Sequence, residues 1–293
     1  MSRVNNLKES FMSTVWLNGE FMPLAEAKIS VLDRGFLFAD SVYEVIPFYY
    51  RQGFGLQAHW LRLKNSLAAI NMAMPLSVSQ WSTVLNELIQ RNNGKHQAVY
   101  LQITRGAAPF RNHVYEPDNL MPTCWAMSTE ISLPLYEQGY EAILSEDIRW
   151  QRADIKSTSL LPNVMQKQAA HLQGAVEVIL HRAGQVTEGS ASNVFMVKKN
   201  QVFTPPATPA ILKGVARDIL IDLLPMLDIK CLQTPISVAD LLSADEVWMT
   251  SSTKGLLPIT AINQSKVGTG ELGAIWSKAS ALYIQSIEKL ADT

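Results

Sequence analysis

Cysteine is scarce in this chain: Cys124 and Cys231 are the two copies in 293 residues. They lie far apart, with no metal-ligand spacing around either, so a disulfide framework is not expected and a reducing compartment is. No metal site is assigned. A surplus of charge is missing as well, since 25 Lys and Arg face 26 Asp and Glu for a formal net charge of −1. A nucleic-acid surface needs excess Lys and Arg to displace counterions from phosphates, so nucleic acid is not an expected partner. Nor is there an acidic or basic tail, an internal repeat or a low-complexity tract. The opening MSRVNNLKESFMSTVW has no apolar core of the signal-peptide kind, and no stretch approaches the ~20 apolar residues of a membrane span. A cytoplasmic protein that does not engage a membrane is the expectation.

What the chain does have is a globular balance, 47% apolar against 17% charged, and enough length for two domains. Residues 1–13 show no clear periodicity and read as an N-terminal tail. A small α/β domain is expected over 14–130, with Leu133-Pro134 as the connection, and a larger domain over 131–293. Val15 to Met22 reads as a hairpin turning at Asn18-Gly19, which supply the positive φ angles of a two-residue turn. Val42 to Tyr50 is rich in β-branched and aromatic residues and reads as a strand, with Pro47 marking an edge or a bulge. Helical spacing over 57–72 and 77–92, the second capped by Ser77, is followed by strands at 98–105 and 122–128 around a long loop, 106–122. Further on, 140–148 and 175–180 read as strands and 163–172 as a helix. A helix from Gly214 to Met226, a strand at 246–250 and a closing helix at 271–290 complete the pattern.

Two residues make most sense together, Lys156 in ADIKSTSLLPN and Glu188 in VTEGSASNVF. A lysine in a segment of mostly uncharged residues becomes a Schiff-base nucleophile once part of its population is neutral. An acid against a pyridine nitrogen keeps that ring protonated and able to accept electrons. Alone, Lys156 would be read as solvated surface and Glu188 as a turn acid. A phosphate cradle completes the set, with Gly214, Val215 and Ala216 at a helix start, Ser251 and Ser252 after a strand, and Arg62 on the first helix.

Five runs carry a resemblance to a known family. They are DRGFLFADSVYEV at 33–45, YLQITRG at 100–106, DIRWQRADIKSTSLL at 147–161, AVEVILHRAGQVTEGSASNVF at 175–195 and ILKGVARD at 211–218. With them the chain resembles the class IV, fold-type IV pyridoxal phosphate aminotransferases, and within these the D-amino acid (D-alanine) branch, over about residues 14–290. The resemblance implies an α/β (α+β) fold of two domains, each a sheet with flanking helices, with the cofactor at the domain interface. It implies that Lys156 carries pyridoxal 5'-phosphate and shuttles the proton, and that Glu188 bonds the pyridine nitrogen. Arg62, the Gly214, Val215 and Ala216 amides, Ser251 and Ser252 would hold the phosphate.

In the D-amino acid branch an arginine and a histidine from a loop of the partner subunit, with a tyrosine of the first long strand, trap the substrate carboxylate. Arg111, His113 and Tyr43 stand at the matching positions, which implies a homodimer. The implied reaction is reversible transfer of an amino group between a D-amino acid, D-alanine first, and a 2-oxo acid such as 2-oxoglutarate. This sequence departs from the family in three places. Its loop TRGAAPFRNH is one residue longer before Arg111, Ala216 replaces a common threonine, and Pro47 replaces a usual lysine. The alternatives on the same scaffold are a branched-chain L-transaminase, an (R)-amine transaminase and an aminodeoxychorismate lyase. A non-catalytic dimer binding a phosphorylated metabolite is the alternative of a different class.

Overall fold

A computed structural model of the chain describes residues 13–292, so the tail expected at 1–13 lies outside the described residues apart from Ser13. Two compact units are present. The first holds the described residues up to Ser132 together with Ile155–Ser159. Its elements are β1 (Thr14–Leu17), β2 (Glu20–Pro23), α1 (Arg34–Phe38), β3 (Ser41–Tyr49), β4 (Gln52–Gly53), α2 (Leu56–Ala69), α3 (Val78–Arg91), β5 (Gln97–Thr104) and β6 (Thr123–Glu130). The strands form one antiparallel sheet in the order β2-β1-β6-β5-β3-β4.

The β1–β2 hairpin turns at Asn18 and Gly19, at φ 49° and 107°, as the Asn-Gly pair requires. On one sheet face Val42, Ile46, Val99, Leu101, Ile103 and Ala126 are buried against Trp60, Leu63 and Leu67 of α2 and Trp81, Leu85, Leu88 and Ile89 of α3. Each large side chain so buried stabilises the unit by about 1.5–3 kcal/mol before the entropy of ordering it. Ser77 caps α3 in a full capping box, accepting from the Gln80 amide while the Gln80 side chain accepts from the Ser77 amide. The Asp33-Arg34-Gly35 turn proves to be the start of a helix. Asp33 accepts from the Gly35 amide at 2.8 Å and so caps α1, a helix too short to show any period in the sequence.

Pro47 follows from the ladder. Tyr43, Val45 and Pro47 share one parity, and the Tyr43 amide points away from β5, to the Lys156 carbonyl. Pro47 therefore has its missing N–H on the outer edge of β3, where β4 pairs only with Phe48 and Tyr49 and no ladder bond is lost.

The second unit holds Leu133–Asp154 and Leu160–Thr293, of which 133–154 and 160–292 are described. Its elements are β7 (Tyr140–Glu146), α4 (Leu161–Leu172), β8 (Glu177–Arg182), β9 (Gln185–Gly189), β10 (Asn193–Lys198), β11 (Gln201–Thr204), α5 (Val215–Leu223), β12 (Cys231–Gln233), α6 (Val238–Leu242), β13 (Glu246–Ser251), β14 (Gly255–Ile262), β15 (Ser265–Lys266) and α7 (Ala274–Glu288). The sheet order is β12-β11-β10-β13-β14-β7-β8-β9, with β15 on β14; the pairs β11–β12, β14–β7 and β7–β8 are parallel and the rest antiparallel. The parallel β7–β8 pair needs a long crossover, and that crossover carries α4 and the Lys156 segment. Tight turns with positive φ at Ala183-Gly184 and Lys199-Asn200 close the two hairpins β8–β9 and β10–β11.

Candidate active site

In the first unit the Lys156 segment is stitched to the outer edge of β3. The Tyr43 amide donates to the Lys156 carbonyl at 3.0 Å, and the Thr158 amide donates to the Ser41 carbonyl at 3.2 Å. Val42 and Ser157 form a bridge, and the Ser41 and Thr158 hydroxyls bond each other. Extended backbone sends alternate side chains to opposite sides. Ile155 and Ser157 are buried, Ile155 in the core under α2, while Lys156 is half-buried, its Nζ 4.0 Å from the centre of the Tyr43 ring. Tyr43 in turn stacks on Tyr100 with ring centres 5.5 Å apart. Burial of its two neighbours thus fixes where the amine points.

Glu44, next to Tyr43, points to the opposite face of the sheet and is fully buried. It takes both oxygens to Arg62, Nε to Oε1 at 2.8 Å and Nη2 to Oε2 at 2.7 Å, and bonds His59 Nδ1 at 2.7 Å. Burial pushes its carboxyl up, but the Arg62 guanidinium and the His59 hydrogen bond outweigh this and hold it at about 2. His59 is pushed down by burial, so its ring is neutral and donates through Nδ1 to a charged Glu44, which leaves the buried Nε2 without a partner. Arg62 and Lys156 belong to one neighbourhood, because the Lys156 amide donates at 3.2 Å to Ser66, one turn from Arg62 on α2.

Arg111 and His113 lie exposed on the loop after β5. Their described side-chain contacts are with Phe38 and not with Tyr43 or Lys156: the Arg111 guanidinium sits 4.9 Å from the Phe38 ring centre and the His113 ring 5.2 Å away.

The second unit gathers the residues around Glu188. Its carboxylate is buried on β9 and bonds Arg149 Nη1 through one oxygen. The other oxygen accepts from the Leu212 amide at 2.9 Å and from Asn193 Nδ2 at 3.1 Å. Burial pushes the Glu188 carboxyl up to about 7 against the pull of Arg149 and the Leu212 amide. Arg149 is itself held by Asp147, with Nε on Oδ1 and Nη2 on Oδ2, both at 2.9 Å, and Thr187 donates to Asp147 at 3.0 Å.

Asn193 ties this acid to the helix start. Its Nδ2 also donates to the Leu212 carbonyl at 2.8 Å, and its Oδ1 lies 2.0 Å from where a Cβ on Gly214 would stand, so any larger residue there would have to displace the Asn193 side chain. Gly214 then opens α5 with no side chain capping it, which leaves the first amides of the helix, Val215 and Ala216 among them, for an external acceptor. Asn193 pairs with Thr250 across β10–β13, and Ser251 and Ser252 follow directly. The unit therefore brings together Glu188, the Gly214–Ala216 amides and the Ser251–Ser252 strand end.

Sequence reasoning missed Arg149, Asn193, Glu44 and His59. Each touches a singled-out residue, yet none stands at a spacing that announces it; the signal available for Glu44 and Asn193 was a polar residue inside an otherwise apolar strand, and Arg149, in a loop, and His59, on α2, gave none.

The family model for amino-transferase class IV matches residues 41–262. The chain belongs to the class IV aminotransferases. It is 38% identical to the D-alanine aminotransferase of Bacillus licheniformis over 275 residues, which cover 93% of this chain and 96% of that protein. Among solved structures it is similar to the branched-chain aminotransferase of Thermoproteus uzoniensis with norvaline, at TM-score 0.84 and 25% identity, covering 94% of this chain and 95% of that one. A hypothetical aminotransferase from Mycobacterium tuberculosis in a PLP-bound form shares the fold at TM-score 0.82 and 21% identity, covering 94% and 99% of the two chains.

Proposed function

We propose that this chain is a pyridoxal phosphate transaminase moving an amino group between a D-amino acid, D-alanine first, and a 2-oxo acid such as 2-oxoglutarate. The observation that carries this is Lys156, pinned by backbone bonds along β3 with its amine against Tyr43, in a chain 38% identical over nearly its whole length to a D-alanine aminotransferase. The residues fit the cofactor. Glu188 is a buried acid for the ring nitrogen, Gly214 is a site where a Cβ would collide, and the α5 start offers amides suited to a phosphate dianion.

When bound, pyridoxal phosphate supplies an electrophilic carbon for the substrate amine and a ring that accepts the electrons released at the α-carbon. Glu188 holds the charge at the ring nitrogen. Arg62, the Gly214, Val215 and Ala216 amides, Ser251 and Ser252 hold the phosphate. Lys156 Nζ accepts the α-hydrogen as a proton and later returns one, a general base whose aim is set by Ile155 and Ser157. Tyr43, Arg111 and His113 receive the substrate carboxylate; because a guanidinium grips a carboxylate in a fixed plane, this contact decides which hydrogen faces Lys156, and so D over L.

Arg111 and His113 act across a homodimer. An exposed apolar set around their loop, Val31, Phe36, Phe110, Val114 and Met121, supports a partner surface there. No helix of the described residues is long and apolar enough to cross a membrane.

Lys156→Ala is the direct test. Purified wild type should carry the cofactor's visible absorbance and turn over D-alanine with 2-oxoglutarate, and the variant should lose the turnover while remaining folded by circular dichroism. A chain with no such absorbance, or one that keeps that absorbance after the change, would instead fit a dimer that binds a phosphorylated metabolite without catalysis.

A further inference from the structure

Arg34 is a charged side chain only 4% exposed, and nothing in the chemistry above uses it. Its guanidinium reaches the loop after β5. Nη1 donates to the Asn112 carbonyl at 2.6 Å and Nη2 to the His113 carbonyl at 3.0 Å, while Nε donates to Asp40 at 2.9 Å. Two of the three nitrogens thus tie the side chain to loop backbone 78 and 79 positions along the chain, and the third is spent on the Asp40 carboxylate.

The surroundings serve the same end. Asp40 also takes Arg105 in a two-point grip, Nε to Oδ2 at 2.8 Å and Nη2 to Oδ1 at 3.0 Å. The Tyr115 ring, from the same loop, lies 4.9 Å from the Arg34 guanidinium and 4.1 Å from that of Arg105. Phe38, one turn along α1 from Arg34, has its ring 5.0 Å from the Arg34 guanidinium, 4.9 Å from that of Arg111 and 5.2 Å from the His113 ring. One short stretch, 34–40, therefore holds two successive carbonyls of the loop, those of Asn112 and His113, and also backs the side chains of Arg111 and His113.

We propose that Arg34 and Phe38 are positioning residues for substrate recognition, Arg34 fixing the Asn112–His113 backbone and Phe38 the side chains of Arg111 and His113, so that the loop presents a preformed site for the substrate carboxylate. The inference rests on the assignment of Arg111 and His113 as the carboxylate contacts. Without the clamp, a long loop with exposed charged side chains would have to order itself at each binding event, and that cost is drawn from substrate affinity. Arg34→Met leaves Asp40 its two bonds from Arg105, so the change removes the hold on the loop without stranding the half-buried Asp40 carboxylate.

The test compares purified holoenzymes: wild type, Arg34→Met, Phe38→Leu, Arg111→Ala and the double variant Arg34→Met/Arg111→Ala. Two quantities are measured, the KM for D-alanine and the cofactor content by visible absorbance. Arg34→Met and Phe38→Leu should each raise KM by about tenfold or more with cofactor content unchanged, as expected when a binding group is displaced by a fraction of an ångström. Adding Arg34→Met to Arg111→Ala should raise KM little further, because both changes remove the same contact. Should Arg34→Met fail to fold, Phe38→Leu, a milder change at a half-buried ring, gives the same comparison. An unchanged KM in the clamp variants beside a raised KM in Arg111→Ala overturns the clamp alone, as would independent, multiplying effects or loss of cofactor. An unchanged KM in Arg111→Ala overturns the assignment of the loop itself, and the clamp with it.

Discussion

At the scale of single residues the charges that matter are buried and paired. Glu44, fully enclosed and holding Arg62 with two bonds, is expected to dominate the acid response of the first unit. With its folded value at about 2 against an ordinary 4.5, the unfolded chain binds more protons between those limits, so the stability it contributes is present above pH 4.5 and lost as pH falls toward 2. Glu44→Gln should destabilise the protein at pH 7 by about 3 kcal/mol, and the gap from wild type should close as pH drops through that window. Urea unfolding at a series of pH values measures it. The sequence marked Arg62 and Glu188 as one-sided features, a cation on a helix and an acid in a turn, because a charge is visible in sequence and its partner is not. Glu44 sits 18 positions from Arg62 and Arg149 39 positions from Glu188, and only the fold brings them within a hydrogen bond.

At the scale of elements, local chemistry was legible wherever a residue type forces a conformation. Asn18-Gly19, the Ser77 cap and the hydrophobic spacing of α2 and α3 all stand where the pattern puts them. The short α1, the two-residue β4 and α6 were not seen, since one turn of helix or a pair of ladder residues has no period to detect. Gly214 belongs to a subtler class. Its φ of −71° is open to any residue, so the demand for glycine is steric, set by Asn193 Oδ1. Gly214→Ala should therefore displace Asn193, disturb the carboxylate of Glu188 and weaken cofactor binding by about tenfold or more, for a loss of ~1–3 kcal/mol in hydrogen bonding. Equilibrium titration of the apoprotein with pyridoxal phosphate is the check.

At the scale of the whole molecule, two sheet-based units arise from one chain in which the β7–β8 crossover lends five residues, Ile155–Ser159, to the first unit. A division drawn once along the sequence, near residue 130, has no means of showing such an excursion, because the segment is recognised by the backbone bonds it makes to β3 and not by its composition. The proposed homodimer carries its own expectation. Sedimentation should give twice the 32.6 kDa of the chain, and Arg111→Ala subunits mixed with Lys156→Ala subunits should recover activity in the hybrid if the loop serves the neighbouring site.

The central claim is that Lys156 takes the α-hydrogen of a D-amino acid whose carboxylate is held by Tyr43, Arg111 and His113. It is met most directly by following the cofactor's own visible absorbance in the purified holoenzyme after a single amino acid is added, without any oxo acid. Conversion by D-alanine, with L-alanine and L-leucine silent, is the predicted result; conversion by L-leucine but not by D-alanine would contradict it.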